Sequence, residues 1–344
     1  MSEIMSFEEF TDKVKDTLVS HLPPEFSGAT VDIQRRRKVN GEPTALMVIP
    51  EGHENKLTPC IYLNRSYENY KQNGQFEDVL ERIADTVKES YKDIDKVPYA
   101  DNPIDNMDKS KVFMQLINTE SNKELLAYTP HRDFNDMSLI YRILYHIDDD
   151  GMQSVVITDD LAETMGVDEQ ELFELASVQT KELLPPKIQS MSSVMRGFIM
   201  DAGGSEVTDE MMEELGFDDE IGMYLVSNEY FVQGATNMVY DDVLYDVSGR
   251  LGEDVYVLPS SIHEFLVVPA SMGDPESLAQ MVTDINRDSV VEADRLSNQV
   301  FYYDREKREL TQVSDTPIRG IKDNDFITIP DSVIKGTPAV AMAR

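Results

Sequence analysis

A nucleophile, an imidazole and a carboxylate fall together at one compact place in the sequence, Ser260-Ser261-Ile262-His263-Glu264, directly after Pro259. Hydroxyl catalysis needs a serine within hydrogen-bond reach of a base that a third group orients, and Ser261, His263 and Glu264 are those three types. They are the candidate catalytic residues of a hydrolase reading. The spacing argues against it. Residues this close along a chain rarely converge into a triad, and no Gly-x-Ser-x-Gly turn surrounds them. Nor is this a zinc helix, because Val267 stands where a second histidine would be needed. The competing reading is a turn in which serine hydroxyls bind backbone groups and His263 anchors the connection.

Other chemistry is thinner. Asp148-Asp149-Asp150-Gly151, with Asp159-Asp160 beyond it, offers oxygen ligands, but a calcium loop needs alternating donors and a Glu at its twelfth position. Here the twelfth residue is Asp159 and Val155 and Val156 interrupt, so a solvated hairpin turn is expected and no metal site. His21, His53, His131 and His146 lack paired ligand spacing. Arg35-Arg36-Arg37-Lys38 is the sole basic run, and in a strand its side chains alternate between faces rather than forming one phosphate-reading stripe. Cys60, the single cysteine, sits in an apolar setting that reads as inert strand packing. Ala202-Gly203-Gly204-Ser205 lacks the lysine that a phosphate loop requires. No cofactor is expected.

Charge is the strongest global signal. Of 344 residues, 65 are acidic and 31 basic, a formal net charge of −34. Between Asp201 and Asp254 there are 15 acids and one base, Arg250. Phosphate backbones and anionic lipid repel such a chain, so direct nucleic-acid or membrane binding is not expected. The plain reading is solubility; the sharper one is a surface that docks a basic protein. Its candidate residues are Asp209, Glu210, Glu213, Glu214, Asp218, Asp219, Glu220, Asp241 and Asp242. DNA mimicry is a further variant. A globule of this length is roughly 50 Å across, and duplex DNA that long carries about 30 phosphate charges.

The elements that must position these residues point to an α+β fold, because strands arrive in adjacent pairs. Ser6 and Glu9 have capping-box spacing ahead of Phe7, Phe10, Val14 and Leu18, which predicts a helix over 6–18. Asn40-Gly41 between two apolar runs predicts a hairpin of 31–39 with 44–49. A strand at Cys60–Leu63 and a helix over 76–91 complete an α-β-β-β-α module, 1–92. Residues 93–110 read as a linker. A second module, 111–186, holds a strand over 112–117, a short helix capped by Ser121 and Glu124, a hairpin of 139–147 with 154–157, and helices from Thr158 and Asp168. Leu172, Leu175, Ala176 and Val178 are read as the apolar face of the last of these. Residues 187–220 read as a connector with an acidic helix over 208–215. The third module, 221–306, is predicted as strands at 223–226 and 236–239, a helix over 241–251, paired strands at 255–258 and 265–268, a helix over 276–286 and a strand at 300–303. The tail, 307–344, reads as irregular. The N-terminus has neither the basic nor the apolar region of a signal peptide, and no stretch is apolar for long enough to span a bilayer. With one cysteine, a reducing cytoplasm is the expected location.

Several segments together resemble one family. They are Phe7-Glu8-Glu9-Phe10, Tyr62-Leu63-Asn64 with Tyr67-Glu68-Asn69-Tyr70, Glu77-Asp78-Val79-Leu80, Leu116-Ile117-Asn118, Leu183-Leu184-Pro185-Pro186, Leu258-Pro259-Ser260-Ser261-Ile262-His263-Glu264 and Tyr302-Tyr303-Asp304-Arg305. In order, over roughly residues 6–306, they are similar to an uncharacterised family of anaerobic gut-type bacteria, carried as a domain of unknown function. The resemblance implies a bacterial cytoplasmic origin and brings no activity or functional residues with it.

Overall fold

The computed structural model describes residues 4–36, 38–52, 58–92, 108–148, 151–201, 208, 211–212 and 222–315. The chain divides into two compact units, Met1–Met107 and Asp108–Arg344.

Unit 1 opens with α1, Phe7–Thr17, and the Ser6/Glu9 capping box is formed in both directions. β1 (Thr30–Arg35) and β2 (Thr44–Ile49) pair antiparallel, Thr30 opposite Ile49 and Arg35 opposite Thr44. Asn40 takes the left-handed backbone its turn needs, at φ 61°. β3 is only Ile61–Tyr62, and it completes a sheet of order β1-β2-β3. The expected longer strand stops there because Leu63 opens a helix that the sequence reading lacks, α2, Leu63–Asn73. Cys60 lies outside the strand and is exposed, which corrects its reading as packing. α3, Phe76–Lys92, packs Val79, Leu80, Ile83, Ala84 and Val87 against Phe10, Val14 and Leu18 of the α1 region and Leu46 and Val48 of β2.

Unit 2 holds two antiparallel sheets, consistent with the α+β class. In the first, β4 (Val112–Asn118) and β5 (His131–Phe134) flank β6 (Met137–Asp148), which also pairs with β7 (Gly151–Val156). β5 was not expected. The helix before it, α4 (Lys123–Leu126), has Asn122 at its N-cap and no side-chain cap, so the predicted Ser121/Glu124 box is absent. α5 (Asp159–Met165) is capped by Thr158, and α6 (Glu169–Leu183) by the Asp168/Glu171 box. α6 buries Leu172, Ala176 and Thr180, four residues apart along one face. Val178 lies off that face and is 62% exposed, against expectation. Two threonines satisfy N–H groups of β4: Thr180 Oγ1 accepts from Met114 N (2.9 Å) and Thr236 Oγ1 from Leu116 N (3.1 Å).

The second sheet has six strands. β8 (Pro186–Ser190) runs from the end of the second predicted module into the stretch read as a connector, and pairs with β9 (Tyr224–Asn228); α7, Met191–Asp201, follows β8. β10 (Val255–Leu258), β11 (Phe265–Pro269), β12 (Phe301–Asp304) and β13 (Glu309–Gln312) complete the order β13-β12-β10-β11-β9-β8. β13 falls in the tail expected to be irregular, where its pairing with β12 holds it. Residues 236–239, predicted as a strand, lie instead in a 3-10 turn, Gly234–Val239. Asn237 gives its amide to the carbonyls of Ser227 and Gly234, replacing ladder bonds with local ones. α8 (Asp241–Leu251) and α9 (Pro275–Asp288) stand where helices were expected. Most of the predicted acidic helix over 208–215 lies outside the described residues, as do the linker residues 93–107 and the tail beyond 315.

Candidate functional site

The Ser260–Glu264 segment connects β10 to β11, and backbone bonds pin it from two sides. Ile262 N donates to Asp294 O (2.8 Å), while Leu296 N and Ser297 N donate to Ser260 O and Pro259 O (both 2.9 Å). From the other side, Ala235 N donates to Ile262 O (3.2 Å). This frame fixes where the three candidate side chains go.

Ser261 is 1% exposed, and its Oγ accepts from the His263 backbone N–H at 3.0 Å. The same hydroxyl opposes the upward push of burial on the Glu264 carboxyl. The His263 ring turns elsewhere. Its Nε2 faces Asp294 Oδ1 at 3.3 Å, and its Nδ1 accepts the Gln233 backbone N–H at 3.2 Å. An Nδ1 that accepts carries no hydrogen, so the neutral ring has its proton on Nε2, toward Asp294. Both nitrogens are thereby committed, and neither is offered to the Ser261 hydroxyl as a base. Burial disfavours the imidazolium, but the hydrogen bond and charge of Asp294, with the charge of Glu264, leave His263 above its ordinary pKa. Burial also pushes the Glu264 carboxyl up, with His263 and Ser261 opposing. The arrangement is a clasp holding the β10–β11 connection to the 231–235 and 292–297 segments. Asp294 and the Gln233 N–H, which complete it, lie 31 residues after and 30 residues before His263.

The segment held by that clasp is itself unusual. After β9, Asn228 caps a tight loop: its Oδ1 accepts from Tyr230 N (3.0 Å) and Val232 N (3.3 Å), and its Nδ2 donates to Val232 O (2.6 Å). Phe231 and Gln233 adopt left-handed backbone, φ 54° and 55°, a conformation that bulky residues occupy at a cost and that is frequent at functional positions. Gly234 follows because nothing larger fits. A Cβ there would lie 2.3 Å from Ser227 Oγ and 2.6 Å from the His263 carbonyl oxygen. The loop displays Tyr230 and Phe231 at 39% and 40% exposure. Lys187 of β8 reaches over it, 3.4 Å from Glu229 Oε2 and 4.7 Å from the Phe231 ring centre.

The acidic candidates divide in two. Asp209, Glu210, Glu213, Glu214, Asp218, Asp219 and Glu220 lie outside the described residues. Asp241 and Asp242, at the start of α8, are engaged within the chain: Asp241 with the Tyr303 hydroxyl (2.6 Å) and Arg308 (2.5 Å), and Asp242 with Lys181. Asp148 of the expected hairpin turn pairs with His146 at 2.8 Å, and Asp149 and Asp150 are outside the described residues. Among the described residues, no cluster of three His, Cys, Asp or Glu side chains could hold a metal ion, and no helix is long and apolar enough to cross a membrane.

A shallow cleft of about 530 Å³ lies beside α5 and the start of α6, lined by His131, Asp159, Glu163, Asp168 and Glu169 among others. Three of its acids, Asp159, Asp168 and Glu169, begin helices, where negative charge offsets the exposed N–H groups. Glu169 is held by both nitrogens of the Arg132 fork (3.1 and 3.0 Å) and by the Tyr141 hydroxyl. His131 Nδ1 bonds the Thr129 carbonyl at 2.8 Å. This cleft leaves no signature in the sequence, because helix-capping acids and a lone histidine carry no spacing signal.

Fold and site define an α+β protein of antiparallel sheets, whose Ser-His-Glu cluster ties loops together and whose aromatic loop faces solvent. The chain belongs to DUF5688, a family of unknown function, which matches residues 7–305. No curated protein and no solved structure matches it.

Proposed function

We propose that this chain is a non-catalytic binding protein of a bacterial cytoplasm, whose acidic second unit docks a basic protein. The observation that carries this reading is how the charge divides between the units. Residues 1–107 hold 20 acidic and 13 basic side chains, whereas residues 108–344 hold 45 and 18. A surplus of that size repels polyanions and speeds encounter with polycations. The His263 ring supports the same reading, because its nitrogens face Asp294 and the Gln233 N–H rather than the Ser261 hydroxyl.

The test is affinity against ionic strength. A tagged chain captures protein from a bacterial lysate at low salt, and the captured protein is purified and its binding to the native chain titrated. The expected result is a stoichiometric complex with a basic protein whose affinity falls steeply with added salt. Affinity indifferent to salt sinks the proposal. So does an enzymatic activity that disappears in His263→Ala while the fold is intact. DNA mimicry is the sharper form: the chain would then displace DNA from the captured protein, and failure to do so removes that form alone.

A further inference from the structure

We propose that the Glu229-Tyr230-Phe231 loop is where the basic partner is gripped, one of its lysine or arginine side chains lodging between the Glu229 carboxylate and the two aromatic rings. The inference rests on the reading above that the partner is basic. Three observations carry it.

The first is exposure held in place. Tyr230 and Phe231 are two-fifths exposed, on a loop that Asn228 braces with three hydrogen bonds and that His263 and Gly234 fix from behind. Aromatic side chains shown on a rigid loop lose little freedom on binding and dominate the energetics of protein interfaces. The second is backbone strain. Phe231 sits at φ 54°, where glycine would be relaxed, so the fold holds a bulky ring in a conformation its backbone disfavours. The ring so held is two-fifths exposed.

The third is the chemistry the surface already performs on its own cations. Lys187 occupies the seat in the free chain, between Glu229 and the face of Phe231. The same arrangement recurs elsewhere in unit 2: Lys181 pairs with Asp242 beside the Tyr240 ring, and Arg308 pairs with Asp241 over the Tyr245 ring. A carboxylate with an adjacent ring face is selective for ammonium and guanidinium groups. At 229–231 the carboxylate is 54% exposed, so a partner's cation can reach it.

The experiment uses the full chain and a fluorescein-labelled lysine-rich peptide, followed by anisotropy, with a peptide carrying glutamate for lysine as control. The native chain is expected to bind the lysine peptide, more weakly as salt is added, and to ignore the control. Tyr230→Ala with Phe231→Gly removes both rings, and glycine relaxes the left-handed position, so the backbone is kept. Affinity is expected to fall roughly tenfold or more. Glu229→Gln, which leaves rings and backbone alone, is expected to weaken binding about threefold. Lys187→Met empties the seat and is expected to tighten binding about threefold, an effect that a structural role for the loop would not produce. If the native chain binds the lysine peptide with a normal salt response but these variants leave affinity unchanged, the loop assignment is overturned and the basic-partner reading stands. If the native chain does not bind it, or binds both peptides equally, both are overturned.

Discussion

The two units solve the folding problem with different materials. Unit 1 is nearly balanced in charge and builds its core from apolar and aromatic side chains. Phe10 lies at the centre, 5.3 to 5.7 Å from the rings of Tyr67, Tyr70 and Phe76. Among the described residues, Thr44, at 8% exposure, is that unit's one buried polar side chain other than tyrosine. Unit 2 is strongly acidic, and polar side chains run through its interior: Asn118, Asn228, Asn237, Ser261, Asn286, Ser297 and Gln299 are each at most 5% exposed. Three of them, Asn118, Asn237 and Asn286, bind backbone groups of other segments. Asn118 Nδ2 donates to Leu296 O (2.9 Å) and Asn286 Nδ2 to Ser297 O (2.9 Å). Apolar burial is non-directional and tolerates adjustment, whereas a buried hydrogen bond specifies one geometry and is costly to leave unmade. Unit 1 is thus specified mainly by shape, and unit 2 by directed contacts that place loops such as 228–234.

That contrast can be broken by substitution. The largest effect is expected from Phe10→Ala. It deletes the ring that the others pack around, and a loss of about 4 kcal/mol follows from the transfer and cavity terms together. Hydrogen exchange read by mass spectrometry should show protection lost across α1–α3 and kept in the sheets of unit 2. Loss in both units at once would end the comparison. Gly234→Ala is the counterpart in unit 2. It adds one methyl group, yet that methyl meets a hydroxyl and two backbone atoms inside 3 Å, so about 3 kcal/mol is expected from overpacking. Exchange should rise in β9, the 3-10 turn and the 259–264 connection, with unit 1 unchanged. An Ala variant as stable as the native chain would show that the loop is not held by directed contacts.

The difference between the units also explains what was legible in the sequence. α1, the β1–β2 hairpin and α3 were readable because their signals are local: the Ser6/Glu9 box, the Asn40-Gly41 turn and a clean 3.6-residue apolar spacing. α2 was hidden because Leu63–Asn73 is mostly polar and has no side-chain cap at its N-terminus, so tertiary contact through Leu63 and Tyr70 holds it. In unit 2 the strands of the first hairpin and of β10–β11 showed as apolar runs. β8 and β13 did not, since each is short and polar and exists through pairing with its neighbour. Ser261, His263 and Glu264 stood out as a group, but their roles depend on Asp294 and on the backbone N–H of Gln233, which no spacing rule connects to them. Exposure of Tyr230 and Phe231 was equally invisible, because burial is decided by the finished fold.

The smallest expected effect tests the polar interior through pH. Burial holds the Asp136 carboxyl above its ordinary pKa, against the opposing hydrogen bond from Ser297 Oγ (2.7 Å). Its Oδ1 is buried without a hydrogen-bond partner. A carboxyl whose folded pKa lies above the unfolded value is ionised first in the unfolded chain. Stability is therefore unaffected below the unfolded pKa, falls as pH rises from there to the folded pKa, and stays lowered above it. Each unit of separation costs about 1.4 kcal/mol. Asp136→Asn keeps the shape and an acceptor for Ser297 but cannot ionise. Urea midpoints from about pH 4 to about pH 7 should decline less in the variant than in the native chain, with the residual slope owed in part to Glu264, whose carboxyl burial also raises. Equal slopes would mean that Asp136 is solvated in solution and that the polar interior of unit 2 is looser than its hydrogen bonds imply.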